Sequence, residues 1–190
     1  MATAFSQLGL DAFSGALAER CPAPGGGAAA AVAAAIAAAL AAMAANYTNG
    51  PRHADVQAQA EALLATCQGL RQRCLALAQA DADAYAQVQK LRQAKAEQAA
   101  IATAEAEARQ IPLQLLALSS ELGENLQAFL PACNRWLLAD LRAALHLLYG
   151  SAQAAREILH AGNPEAPEAD EARRICQQLN RICQSLGEPG

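Results

Sequence analysis

Apolar positions along this chain recur at helical spacing almost throughout. From residue 56 to 91, Val56, Leu63, Leu70, Leu77, Ala84 and Leu91 form a line that repeats every seven residues. Ala60, Cys67, Cys74 and Val88 form a second line beside it. Together the lines predict the buried seam of one long helix, from about Arg52 to about Gln93. Upstream, residues 28–45 are an unbroken apolar run. Val32, Ile36, Leu40 and Met43 make one bulky stripe on it, and every other position is alanine. The run is long enough to span a membrane, but alanine has little drive into lipid. It is read instead as a central core helix, to about Thr48, that packs closely on all sides.

Breaks divide the rest. A first helix is expected from Ser6 to about Arg20, weakened by Gly9 and Gly15. Asn49-Gly50-Pro51 ends the alanine helix. A fourth helix is expected from about Lys95 to Leu130, with Pro112 kinking or splitting it. Pro131 is the next break, and a fifth helix follows from Asn134 to His160, stopped by Gly162-Asn163-Pro164. Pro167-Glu168 and Asp170-Glu171 open a last helix, with acids where the dipole favours them. Gly187 to Gly190 should fray.

Composition sharpens this picture. The chain is 54% hydrophobic but only 4% aromatic, and alanine supplies the difference. Alanine favours helix and β-branched residues are sparse. The expectation is an all-α fold: one domain, residues 1–190, a bundle of five to six helices around the alanine-rich one. Small side chains bury little area each, which points to a second subunit. The net charge of −4 comes without a basic run, so nucleic acid is not an expected partner. The six cysteines include no Cys-x-x-Cys pair, so no metal is expected. They read as free thiols packed as small hydrophobes, which fits a reducing, cytoplasmic setting. No basic segment followed by an apolar core marks a signal peptide, and no internal repeat stands out.

Three features carry candidate chemistry. The first is Pro22-Ala23-Pro24-Gly25-Gly26-Gly27, opening directly onto the alanine helix. A helix start leaves backbone N–H groups unpaired, and glycines let a ligand approach them. A tight turn before a helix has the same pattern. The second is Asp81, which interrupts the second line of the long seam with a carboxylate. A buried acid is costly unless paired, so it needs a reason. Asp83 lies off the seam, and Lys90 is half a turn away from Asp81. The third is Asp140, among Leu137, Leu138, Ala139 and Leu141. It lies about 160° from Arg142 at ~100° per residue, away from the face shared by Arg135, Arg142 and His146, so it too is expected to point into protein. A structural hydrogen bond or salt bridge is the alternative for each acid. His53, His146 and His160 read as surface or structural groups, and Trp136 and Tyr85 as packing. There is no nucleophile elbow, Walker loop or dinucleotide fingerprint.

In combination these blocks resemble the cyclodeaminase/cyclohydrolase family of folate enzymes. That family includes the C-terminal half of formiminotransferase-cyclodeaminase and stand-alone methenyltetrahydrofolate cyclohydrolases. The glycine block and alanine helix through Met43, Asn46 and Thr48 resemble its Pro-x-Pro-Gly-Gly-Gly-Ser and Met-x-x-Asn-x-Thr. Asp81-Ala82-Asp83-Ala84-Tyr85 is similar to its Asp-Ala-x-Ala-Phe/Tyr, and Lys90-Leu91 to its Lys-Leu-Pro. Ile111-Pro112-Leu113 matches a later Val/Ile-Pro-Leu. Asn134 and Asp140 match the ends of an Asn-x-Asn-x-x-Ser-Asp stretch. Departures occur at Ala28 for serine, Arg92 for proline, and Trp136 and Ala139 for the inner asparagine and serine. The late Asn-Val-x-x-Asn has no counterpart near Ala154–Leu159.

The resemblance implies an all-helical homodimer acting on a one-carbon unit of tetrahydrofolate, either as cyclohydrolase or as cyclodeaminase. The folate is the substrate, with no cofactor and no membrane partner. Asp81, Asp140 and Lys90 would be the catalytic groups. Pro24, Gly25, Gly26, Gly27 and Asn134 would bind substrate. The departures leave an alternative, a divergent non-catalytic helical dimer or small-ligand-binding protein of the same fold.

Overall fold

The computed structural model describes residues 4–162 and 168–186. Those residues contain no strand and six α-helices: α1 (Leu10–Ala18), α2 (Gly26–Tyr47), α3 (Gln57–Gln93), α4 (Gln98–Phe129), α5 (Leu138–Gly162) and α6 (Glu168–Ser185). The all-α expectation holds. The Asn163-Pro164 stop, Pro167 and the Gly187 to Gly190 end lie outside the described residues.

Helices α2 to α5 form an up-down-up-down bundle. Helix α2 packs between α3 and α5, while α4 lies diagonally across from it. Helix α6 closes the side of α4 and α5. Cross-bundle bonds fix the directions. The Ser151 hydroxyl donates to the Ala30 carbonyl at 2.7 Å, and the Asn134 N–H donates to Thr48 Oγ1 at 3.0 Å. So α5 runs antiparallel to α2, with its start beside the end of α2.

The α3 seam is buried as expected at Ala60, Leu63, Cys67, Leu70, Cys74, Leu77 and Val88. Helix α2 turns out differently. Its alanines form the buried face, including Ala31, Ala34, Ala38, Ala41 and Ala45. The bulky stripe faces outward instead: Val32, Leu40 and Met43 are half-buried and Ile36 is 47% exposed. Methyl side chains let α3 and α5 approach α2 closely, toward the low end of the ~8–10 Å helix spacing. A bulky seam there would force them apart. By length and hydropathy α2 could cross a membrane, yet more than half of that segment is buried inside the bundle, as in a core helix.

Other boundaries shift for local reasons. Ser6 lies in a 3-10 turn (Phe5–Gln7), and α1 begins only at Leu10. Pro51–His53 forms another 3-10 turn before α3 starts. Lys95 adopts a positive φ of 51° between α3 and α4. Helix α4 runs unbroken through Pro112, whose ring is buried. Of the kink or split expected there, the split does not occur: burial of the ring offsets the one lost hydrogen bond.

All six cysteines are unpaired. Burial pushes the Cys67 thiol up to about 12 and Cys74 up to about 11, so both stay neutral and pack as small apolar groups.

The join between α2 and α5 is a polar clasp. Buried Thr48 donates its hydroxyl to the Ala44 carbonyl at 2.7 Å while accepting from Asn134 N–H. Replacing Thr48 by alanine orphans that N–H. Urea denaturation of Thr48→Ala is expected to show a loss of about 1–3 kcal/mol.

Candidate active site at the mouth of the alanine helix

The first turn of α2 has no capping side chain of its own, because its N-cap is Gly25. The cap arrives from α3. Asp81 Oδ2 accepts the backbone N–H of Ala28 at 3.0 Å, across 53 positions of sequence. Ala28 is the third residue of the helix, the position that a local Ser or Asp cap would serve. Asp81 therefore interrupts the apolar seam in order to meet a helix end.

Gly27 makes that approach possible. A Cβ built there would overlap the Asp81 carboxyl group. Gly26 is backed by Ile158 of α5, whose Cδ1 would lie 3.0 Å from an added Cβ. Pro24 is buried beneath the loop. The N–H groups of Gly26 and Gly27 have no acceptor among the described residues. Gly26 is exposed, and Gly27 and Asp81 are half-buried. Burial pushes the Asp81 pKa up, and the Ala28 hydrogen bond pulls part of that back. Tyr85 stands one turn beyond Asp81 and is exposed, in contrast to its expected packing role.

The other expected site residues do not converge here within one protomer. Asp140 lies in the first turn of α5 and is half-buried, not directed into the core. That turn sits at the opposite end of α2. From Ser151, which bonds Ala30 near the mouth, back to Asp140 is ~16 Å along α5 at ~1.5 Å per residue. The inward expectation fails because Leu141, Ala144 and Leu145 take the core positions of this helix. Lys90 is exposed in the last turn of α3, ~13 Å along the helix from Asp81 and on its far side.

Asn134 has an intramolecular role. Its Oδ1 accepts the Trp136 N–H at 3.1 Å, and its Nδ2 donates to the Tyr47 carbonyl at 3.1 Å. Both ends of the amide are occupied at the clasp. Trp136 itself is 75% exposed, with the Arg135 guanidinium 4.7 Å from its ring centre. It is not the packing residue expected from the sequence.

Ile158 was not among the expected site residues. One signal for it existed: it lies eighteen positions after Asp140, five whole turns at ~100° per residue, so the two share a face of α5.

The comparisons with known proteins bear on this arrangement. The sequence pattern described as Formiminotransferase-cyclodeaminase matches residues 9–181. The chain belongs to the formiminotransferase-cyclodeaminase family. Its fold is similar to the crystal structure of formiminotetrahydrofolate cyclodeaminase from Thermotoga maritima, with a TM-score of 0.87 and 25% identity. The match covers 95% of this chain and 96% of that one. No curated protein sequence matches. The matched region contains the glycine mouth, Asp81 and the whole four-helix bundle, so the family's helical architecture accounts for the frame on which the mouth is built.

Proposed function

We propose that this chain is a folate one-carbon enzyme, a methenyltetrahydrofolate cyclohydrolase or a formiminotetrahydrofolate cyclodeaminase, with its reaction centre at Asp81. The observation that carries this reading is a half-buried carboxylate with a raised pKa, held by a helix N-terminus beside two glycine N–H groups that have no acceptor among the described residues. An acid whose pKa is moved toward neutrality exchanges protons effectively at working pH.

Both reactions pass through a cationic carbon between two nitrogens. In ring opening, water adds to the methenyl carbon, a proton leaves the water oxygen, and the bond to N5 breaks as N5 gains a proton. In deamination, N10 attacks the formimino carbon and loses its proton, the former imino nitrogen gains a proton, and its bond to carbon breaks to release ammonia. Asp81 would take the proton and offset the cationic centre. The N–H groups of Gly26 and Gly27 would hold a carbonyl or carboxylate oxygen of the ligand. Pro24 and Gly25 shape the loop that presents them. The small-molecule partner is a tetrahydrofolate derivative, and a second copy of the chain is the macromolecular partner.

Occupation of Asp81 as a helix cap favours one other reading, a folate-binding or purely structural relative without turnover. The test adds the protein to methenyltetrahydrofolate and follows loss of its near-ultraviolet absorbance, with formiminotetrahydrofolate and ammonia release as the second arm. Turnover above buffer in either arm is the expected result. Folate-induced thermal stabilisation without turnover would support the binding reading, and neither effect would overturn both.

A further inference from the structure

Tyr85 and Ile158 stand just past the start of α2. Tyr85 comes eighteen positions after Cys67, five whole turns at ~100° per residue, so it continues the line of α3 on which Cys67 is fully buried. Ile158 comes seven positions after Ser151, within ~20° of the same direction, and Ser151 is the buried α5 residue that bonds Ala30 of α2. Both side chains therefore lie on inward lines of their helices. Yet Tyr85 is 44% exposed and Ile158 38% exposed.

Helical rise explains the exposure. Asp81 bonds the Ala28 N–H, and α2 begins two residues before Ala28, ~3 Å further along. Tyr85 lies ~6 Å beyond Asp81 along α3. Likewise α2 begins ~6 Å beyond Ala30, while Ile158 lies ~10 Å beyond Ser151. Each residue has thus passed the first residue of α2 by ~3–4 Å and has no turn of α2 beside it. Ile158 still reaches back to the helix start, where its Cδ1 would lie 3.0 Å from a Cβ on Gly26. The Asp81 carboxyl occupies the corresponding place on Gly27. An aromatic ring from α3 and an aliphatic tip from α5 border one carboxylate and two glycine N–H groups.

Resting on the folate reading above, we infer that Tyr85 and Ile158 are the walls of a slot for the pterin of the ligand, whose O4 and N5 edge is turned toward α2. Apolar walls around a few fixed polar groups are the common build of a small-molecule site. The flat pyrimidinone ring stacks on Tyr85. The reduced ring, with its saturated carbons, packs on Ile158. The carbonyl oxygen O4 accepts the Gly26 and Gly27 N–H groups. N5 is next to O4 on the same edge, so its one-carbon group reaches Asp81 beside Gly27. The opposite edge carries an exocyclic amino group, which would set donor against donor.

Two experiments test this. The first is kinetic and uses methenyltetrahydrofolate or formiminotetrahydrofolate, whichever the parent turns over. Tyr85→Ala is expected to raise KM about tenfold, as for one lost stacking partner, with kcat within about threefold of the parent. Its circular dichroism should be unchanged, because the side chain is exposed. Tyr85→Phe keeps the ring and should bring KM back to within about twofold. An unchanged KM in Tyr85→Ala, or an equal loss in Tyr85→Phe, overturns the slot and leaves the folate reading standing.

The second needs no turnover. Protein labelled at its isoleucine δ-methyl groups is titrated with N5-formyltetrahydrofolate. A nuclear Overhauser contact should join one methyl to the C7 protons of the ligand, and it should vanish in Ile158→Val, which lacks that methyl. An analogue with an amino group in place of O4 should bind at least about tenfold more weakly than tetrahydrofolate, since an unpaired donor replaces a hydrogen bond. Bound ligand without the Ile158 contact, or equal affinity for the analogue, overturns the slot alone. If the parent binds without turnover, this second experiment decides. A parent with neither turnover nor folate binding overturns the folate reading, and the slot falls with it.

Discussion

Asp81→Asn is expected to lower kcat on either folate substrate by about a hundredfold or more, the low end of what a positioned acid or base contributes. The variant should stay folded, because an asparagine carbonyl can still accept the Ala28 N–H that Asp81 accepts at 3.0 Å. The pH dependence of stability separates this from simple damage. Burial raises the Asp81 pKa in the folded chain above its unfolded value. Between the ordinary aspartate range and that raised value, the folded chain binds more protons than the unfolded one. The stability due to Asp81 is therefore complete at low pH and is lost as pH rises through the folded value. Asparagine has no such loss. The thermal midpoint of Asp81→Asn minus that of the parent should grow more positive from pH 4 to pH 8. A flat difference, or one that shrinks, would mean that the carboxylate is not strained by burial. A functional acid costs stability where it is needed for chemistry, and a mere cap would show the reverse trend.

Gly27→Ala should produce a comparable loss without touching the carboxylate chemically. Its methyl group would occupy the volume of the Asp81 carboxyl, and the acid would have to move aside. Misplacement of a catalytic group by about 1 Å can cost about a hundredfold in rate. Stability should fall by about 1–3 kcal/mol from overpacking, against a gain of at most ~1 kcal/mol in helix propensity. Gly26→Ala is the control. Its methyl would press on the flexible tip of Ile158 at 3.0 Å, so its rate loss should be several-fold at most. Equal rates for both alanine variants and the parent would remove Asp81 from the reacting geometry.

Much of this architecture is readable in the residue pattern, and the parts that are not have identifiable causes. Helical periodicity on α3 placed Asp81 on a buried seam, and the structure keeps it there because at that level the seam meets the start of α2 and the Ala28 N–H. The glycine block marked a helix mouth correctly. Ala28, where the family has serine, costs little here, because Asp81 uses the backbone N–H of that residue and not its side chain.

The expectation that α2 packs closely on all sides fails at its stripe. Periodicity shows that Val32, Ile36, Leu40 and Met43 share a face, but not whether that face or the alanine face is inside. In a chain of small residues, close helix approach decides the matter, and the methyl face is buried. Asp140 was misjudged for a similar reason: its apolar neighbours in sequence lie on other faces of α5. The role of Asn134 at the clasp depends on Thr48 and Tyr47, some 87 residues away, and no local pattern carries that information. Pro112 could not be judged locally either, since tertiary packing holds α4 intact through it.

The most direct measurement of the central claim is the pH profile of kcat/KM for methenyltetrahydrofolate, corrected for the buffer rate, in parent and Asp81→Asn. The parent should show an acid limb with a midpoint above the ordinary aspartate range, and Asp81→Asn should lack that limb across the same pH span. The same limb persisting in the asparagine variant would contradict a reaction centred on Asp81.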